Sequence, residues 1–151
     1  PFLEFSYGDA TATRFPDASF DVVVSQEVIE HIESQKLYVS ECYRLLRDKG
    51  FLVLTTPNKY YFDRKKEGNY SRQPIEKILL PGELRKLLED EFSIVKAESI
   101  IFAGADMGIY RIISNPVLVS IVKKLGIDFI RREIMSRYML GVHLCILAQK
   151  R

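Results

Sequence analysis

No stretch of this sequence comes near the roughly 20 consecutive apolar residues that a bilayer-spanning helix needs, and no secretory leader pattern opens it. Cysteine is scarce. Cys42 and Cys145 stand far apart, form no C-x-x-C pair and sit in apolar stretches, so they read as buried free thiols in a reducing, cytoplasmic setting. An excess of one charge is also lacking: 22 basic residues against 20 acidic ones leave a formal +2, and nucleic acid is not an expected partner. There is no internal repeat, no low-complexity segment and no G-x-G-x-x-G, which argues against a dinucleotide-dependent oxidoreductase. The first residue is Pro1 rather than methionine, so the chain reads as a piece of a longer one.

What is present is one domain's worth of core, 151 residues of which 47% are hydrophobic. Residues 2–7 alternate apolar and polar before Gly8-Asp9, which predicts a short strand running into a polar loop. Phe15-Pro16-Asp17-Ala18-Ser19 is turn chemistry. Residues 20–24 are a β-branched run without alternation, as expected of a parallel strand covered on both faces. From 34 to 47 the spacing becomes helical, with Tyr38, Cys42, Leu45 and Leu46 on one stripe and Lys36, Ser40, Glu41 and Arg44 away from it. Arg44, Arg47 and Lys49 would complement the C-terminal end of that helix, and Gly50 would stop it. Residues 51–56 form a second apolar strand that Pro57-Asn58 breaks, completing a strand–helix–strand unit of a doubly wound α/β fold. A helix over 81–90, a strand over 92–101, mostly helix over 103–140 and a last, alternating strand over 142–148 follow.

Six blocks carry a resemblance. They are Gly8-Asp9-Ala10; the run from Phe15 to Ser25; Glu27-Val28-Ile29-Glu30-His31-Ile32; Glu41-Cys42-Tyr43-Arg44-Leu45-Leu46; Lys49-Gly50; and Thr55-Thr56-Pro57-Asn58. In this order and spacing they resemble the middle motifs of class I S-adenosylmethionine-dependent methyltransferases, in the branch that acts on small molecules. The resemblance covers residues 5–58 closely, and 81–101 and 141–150 loosely. It implies a partial Rossmann-like α/β sheet from the strand order 3-2-1-4-5-7-6, with the last strand antiparallel and strands 1 and 2 missing. Residues 2–7 would be strand 3, left with an open edge beside strand 4 through which two copies could pair as a homodimer. The glycine-rich loop that cradles the cofactor would lie upstream of Pro1. The chain is thus expected to be a single truncated methyltransferase domain over 1–151, an incomplete and inactive piece of an enzyme, with a non-catalytic interaction module as the alternative.

The site residues follow from the same resemblance. The cofactor is S-adenosyl-L-methionine, with Asp9 accepting from the adenine amino group, the Ala10 N–H meeting a ring nitrogen, and Ser25 and Gln26 near the methionine part. Asp9 is otherwise a turn residue, and Ser25 and Gln26 a polar strand end. His31 is the candidate general base, although the same histidine recurs beside very different acceptors, which favours support of the loop. Glu27 would share a helical face with His31 at i, i+4, but three oxygen and nitrogen ligands without a fourth fall short of a zinc site, and no metal is expected. The segments 59–80 and 103–140 are read as cap insertions over a pocket for a small-molecule acceptor, lipid or aromatic. Glu27, Asn58, Tyr60, Tyr61 and Tyr110 are its candidate lining, with Tyr70 and Tyr138 further tyrosines of the cap and Arg64-Lys65-Lys66 a basic run within it. Residues 116–137 combine an apolar face with cations, as in a lid or a helix resting on an anionic membrane; the plainer reading, favoured on sequence, is a core helix with a solvated basic end.

Overall fold

The computed structural model describes residues 3–64, 75–102 and 108–151. Four strands and six helices are described: β1 (Phe20–Gln26), α1 (Gln35–Leu45), β2 (Leu46–Pro57), α2 (Lys59–Phe62), α3 (Pro81–Leu88), β3 (Phe92–Ile100), α4 (Ile109–Ile113), α5 (Pro116–Lys124), α6 (Asp128–Arg137) and β4 (His143–Lys150), with a 3-10 turn at Ile29–His31. Tyr70 and Lys65-Lys66 lie outside the described residues.

The sheet order is β1-β2-β4-β3. β1 and β2 run parallel, and β4 threads between β2 and β3, antiparallel to both. With β1 as strand 4, this is the expected 4-5-7-6 half of the doubly wound order. α1 supplies the crossover between the parallel strands, as a parallel pair requires.

One face of the sheet is dry. Leu52 and Leu54 of β2 and Leu144, Ile146 and Ala148 of β4 pack with Tyr38, Val39 and Cys42 of α1 and with Leu84 and Leu88 of α3. Strand alternation turns the opposite set outward, so Val22 and Val24 of β1 are 50% and 68% exposed rather than covered on both faces. Of the two cysteines, Cys42 is a buried free thiol, its pKa pushed up to about 11 by burial, and Cys145 is free and half-buried.

Several boundaries depart from the sequence reading. Residues 3–7 are not a strand; Leu3, Phe5 and Tyr7 are at least 80% exposed. Alternation prepares a strand, but only a neighbouring ladder makes one, and β1 pairs with β2 alone among the described residues. α1 ends at Leu45, well before Gly50. Arg47 therefore serves no helix end; it forks onto the Asp21 carboxylate at 2.8 and 3.0 Å. The role of Gly50 is close approach, since a Cβ there would sit 2.9 Å from the Arg47 carbonyl and 3.0 Å from that of Asp21. α3 stops at Leu88; Pro81 opens it, and the Glu83 carboxylate reaches back to accept from the Leu80 N–H at 2.8 Å. α5 buries no residue at all, which overturns the core-helix reading of that segment.

A knot of polar contacts joins the carboxyl end of β2 to the start of β4. Asn58, fully buried, donates from its amide to the carbonyls of Met139 and Gly141, each at 2.8 Å, and its backbone N–H donates to Val142 at 2.8 Å. The Gly141 N–H donates to Ser99 Oγ at 2.7 Å, and that hydroxyl donates to the Met135 carbonyl of α6 at 3.3 Å. Gly141 packs directly on backbone here: a Cβ would lie 2.7 Å from Ile100 N and still nearer Ile100 O. Substituting Gly141→Ala should therefore lower stability by about 2 kcal/mol or more, whereas Gly82→Ala, which meets nothing within 4 Å, should be neutral or gain up to about 1 kcal/mol. Urea unfolding of the two variants checks both signs.

Candidate functional site

In an open α/β sheet, ligands gather beyond the carboxyl ends of the parallel strands. Here those ends are Gln26 of β1 and Pro57 of β2, and three groups of candidate residues lie around them.

The first group is the loop carrying Asp9 and Ala10. The Asp9 carboxylate accepts from the Thr11 N–H and the Thr11 hydroxyl, both at 2.8 Å through the same oxygen, and these bonds hold its pKa below the ordinary value. The second carboxylate oxygen and the Ala10 N–H make no hydrogen bond among the described residues. Both residues line a cavity of about 550 Å³ bounded by residues 6–10 and 12–15. An acceptor oxygen beside a free N–H, next to a cavity of that size, suits the edge of a purine.

That loop has few apolar anchors and is pinned to α1 by charge. Glu41, 7% exposed, receives the Arg44 guanidinium in a fork at 2.8 and 2.7 Å, together with the Thr13 hydroxyl at 2.6 Å and the Thr13 N–H at 2.8 Å. Arg44 goes on to Asp17 at 2.5 Å and the Phe15 carbonyl at 2.9 Å. Glu41 was read from the sequence as a residue turned away from the buried stripe; the i, i+3 pair with Arg44 is what lets it be buried.

The second group surrounds the end of β1. Ser25 is buried, its Oγ accepting from the Tyr38 hydroxyl at 2.7 Å, while Gln26 is exposed on the opposite face. Neither lines the Asp9 cavity. Glu27 has φ 53°, so the helix that would have placed it above His31 does not form. Its carboxylate instead meets His143 Nδ1 of β4 at 2.9 Å, and its N–H donates to the Thr55 carbonyl at 3.0 Å. His31 stands at the end of the 3-10 turn with Nδ1 3.0 Å from the Ile75 carbonyl. A carbonyl can only accept, so a neutral ring there carries its proton on Nδ1 and its lone pair on Nε2. Beside it, Glu30 is 1% exposed and accepts from the Thr56 hydroxyl at 2.9 Å; burial pushes its carboxyl pKa up. Glu30 Oε1 lies 3.7 Å from His31 Nε2. Sequence reading passed over Thr56 and His143 as partners because each contact bridges strands or loops distant in the chain. Among the described residues no three His, Cys, Asp or Glu side chains converge as metal ligands.

The third group is the tyrosine cluster where α2 meets α4. Tyr60 and Tyr61 of α2 approach Tyr110 of α4 with ring centroids 6.2 and 5.5 Å apart, and Arg64 stacks 3.6 Å over the Tyr60 ring. Tyr61 and Tyr110 are buried, and the Tyr110 hydroxyl has no hydrogen-bond partner among the described residues. Tyr60 and Arg64 face a cavity of about 720 Å³ whose other walls include Ile109, Ile113, Ile134 and Leu140, with Arg137 at its rim. Asn58 does not line this cavity: its carbonyl caps α2 by accepting from the Tyr60 N–H at 3.1 Å, and its amide is spent on Met139 and Gly141.

Comparison with known proteins gives a consistent picture. Residues 1–54 match the family model described as a methyltransferase domain. A probable S-adenosylmethionine-dependent methyltransferase of Mycolicibacterium smegmatis is 35% identical over 108 residues, covering 71% of this chain and 41% of that protein. One from Mycobacterium tuberculosis is 32% identical over 136 residues, 89% of this chain and 45% of its own length. A 2-methyl-6-phytyl-1,4-hydroquinone methyltransferase of Synechocystis is 35% identical over 77 residues, 51% of this chain and 24% of its own. The chain thus spans less than half the length of these relatives. Among solved structures, an S-adenosylmethionine-dependent methyltransferase of Thermotoga maritima superposes with a TM-score of 0.61 at 15% identity, over 95% of this chain and 62% of that one. A [4+2]-cyclase superposes at 0.58 and 20% identity, over 97% of this chain and 55% of that one.

The contacts that hold the Asp9 loop are acid-sensitive. Arg44 and Thr13 keep the Glu41 pKa down to about 2 against an ordinary 4.5, so its contribution to stability is fully present above pH 4.5 and is lost as pH falls toward 2. Unfolding free energies measured in urea between about pH 2 and 6 should decline steeply on the acid side. Glu41→Gln should flatten that limb and cost about 2 kcal/mol at neutral pH.

Proposed function

Because this chain belongs to the class I S-adenosylmethionine-dependent methyltransferase family, we propose that it forms the adenine-reading and acceptor-facing part of an enzyme that methylates a small molecule. The observation that carries this is the Asp9–Ala10 pair, with one free acceptor and one free donor side by side on the wall of a cavity. The cofactor supplies an electrophilic methyl on a sulfonium. The protein's task is to hold the acceptor in line with the C–S bond, and positioning of that kind is worth roughly 7–11 kcal/mol in favourable cases.

Within that reading Asp9 accepts from the exocyclic amine of adenine and the Ala10 N–H donates to a ring nitrogen. Ser25 and Gln26 lie at the strand end near the methionine part. His31, with its Nε2 lone pair free of the Ile75 carbonyl, takes the proton that a hydroxyl acceptor loses. Glu30, its carboxyl pKa raised by burial, lies beside that ring with Oε1 3.7 Å from Nε2. The acceptor atom is an oxygen, with nitrogen and carbon as alternatives. Its body is apolar or aromatic, supported by the tyrosine and isoleucine walls of the cap cavity and by the likeness to a relative named for a prenylated hydroquinone.

The test is calorimetric. S-adenosylhomocysteine is titrated into this chain and into a longer chain extended upstream. The longer chain should bind, and Asp9→Ala within it should weaken binding about tenfold or more, the effect of losing a charge-assisted hydrogen bond. No binding by the longer chain would overturn the reading in favour of a non-catalytic interaction module. In the longer chain, His31→Asn should lower kcat by about 10²-fold or more with KM little changed; an unchanged kcat would assign His31 to loop support.

A further inference from the structure

We infer that the helices α4–α6 dock on an anionic lipid bilayer and lie in its interface. The first observation is exposure. α5 buries none of its residues, yet Val117, Leu118, Ile121 and Leu125 fall on one helical stripe and are 38–67% exposed. α6 continues the surface with Phe129 at 66%, Ile130 at 45% and Ile134 at 49%. So many exposed apolar side chains on two helices in contact point to an interaction site. Neither helix is long enough to cross a bilayer, so the geometry is that of lying on it.

Charge selects the occupant. Residues 109–138 hold six basic side chains and two acidic ones, a net +4, while the whole chain carries +2; everything outside this segment therefore sums to −2. Arg111, Lys123, Lys124 and Arg137 make no ion pair among the described residues, whereas Arg131 and Arg132 share Asp128. Free cations bordering an apolar stripe, on a molecule otherwise slightly acidic, match a membrane surface of negative potential and orient the chain toward it.

A third observation ties this face to the interior. Between α5 and α6 lies a second cavity of about 240 Å³ with almost wholly apolar walls, among them Val122, Ile127 and Ile130. Ile113 and Ile134 line both this cavity and the larger one beneath Tyr60. An acyl or prenyl tail could thus pass from the bilayer between the helices while its head reaches the tyrosine cluster. Docking itself does not rest on the methyl-transfer reading, since the vesicles used to test it contain no cofactor.

The experiment is flotation of the full chain with vesicles of phosphatidylcholine alone and with about a third phosphatidylglycerol. Binding is expected on the anionic vesicles only, and should fall as salt is raised from about 0.1 to 0.5 M. The double variant Lys123→Glu/Lys124→Glu should bind at least tenfold more weakly. Ile121→Ser/Phe129→Ser should also lose binding, with an unchanged circular dichroism spectrum and Tm because both side chains are exposed. Equal binding to neutral vesicles, wild-type binding by either double variant, or no binding at all overturns the inference. So does a concentration-dependent dimer that the Ile121/Phe129 variant dissociates while the wild type ignores vesicles, which would make a second copy of this chain the occupant.

Discussion

The arrangement turns on one buried amide. Asn58 closes β2, caps α2 and holds the carbonyls of Met139 and Gly141 just before β4, while the Gly141 N–H is bonded to the hydroxyl of Ser99 in β3. Each of these groups is out of water, so each would cost about 1–3 kcal/mol if left unpaired. The antiparallel β4 can enter between β2 and β3 only because this knot meets the polar demands of three chain segments at one point. The Met135 carbonyl joins through Ser99, which ties α6, and with it one wall of the cavity beneath Tyr60, to β3.

A second tether works by charge. The loop bearing Asp9 and Ala10 contributes Ala10 to the main core and little else, and without Glu41 and Arg44 it would have small reason to stay beside α1. Two differently built anchors therefore flank the carboxyl end of the sheet, a neutral and dry one at the start of β4 and a charged, half-wet one under the Asp9 loop. A methyltransferase and a [4+2]-cyclase share the fold of this chain. A shared fold does not by itself fix the chemistry.

What the sequence disclosed follows the same line. β2 and β4 were legible from apolar runs and alternation, and their neighbours in the sheet from the order of motifs, because burial leaves a periodic trace. Residues 2–7 carried the same trace without a ladder to join, and alternation alone could not tell the difference. Glu41 sat on what looked like a solvated helix face. Its i, i+3 partner was visible, but Thr13 lies 28 positions away and nothing local announced it. The exposed stripe of α5 misled in the opposite sense: a period of 3.6 says that a helix has an apolar face, not that protein covers it.

The pairings near the end of β1 show why function was harder to read than fold. Glu27, Glu30 and His31 are crowded in sequence and invite a single catalytic or metal-binding constellation, yet the backbone separates them. Glu27, with positive φ, turns to His143 on the far strand; Glu30 turns inward to Thr56; His31 is held from behind by the Ile75 carbonyl. Three ionisable groups within five residues thus acquire three environments, paired, buried and half-open. His31 spends Nδ1 on that carbonyl and keeps Nε2 on the opposite side of the ring, 3.7 Å from Glu30 Oε1. One left-handed residue and one 3-10 turn impose that sorting, so three ionisable residues crowded in the chain meet three different partners in space.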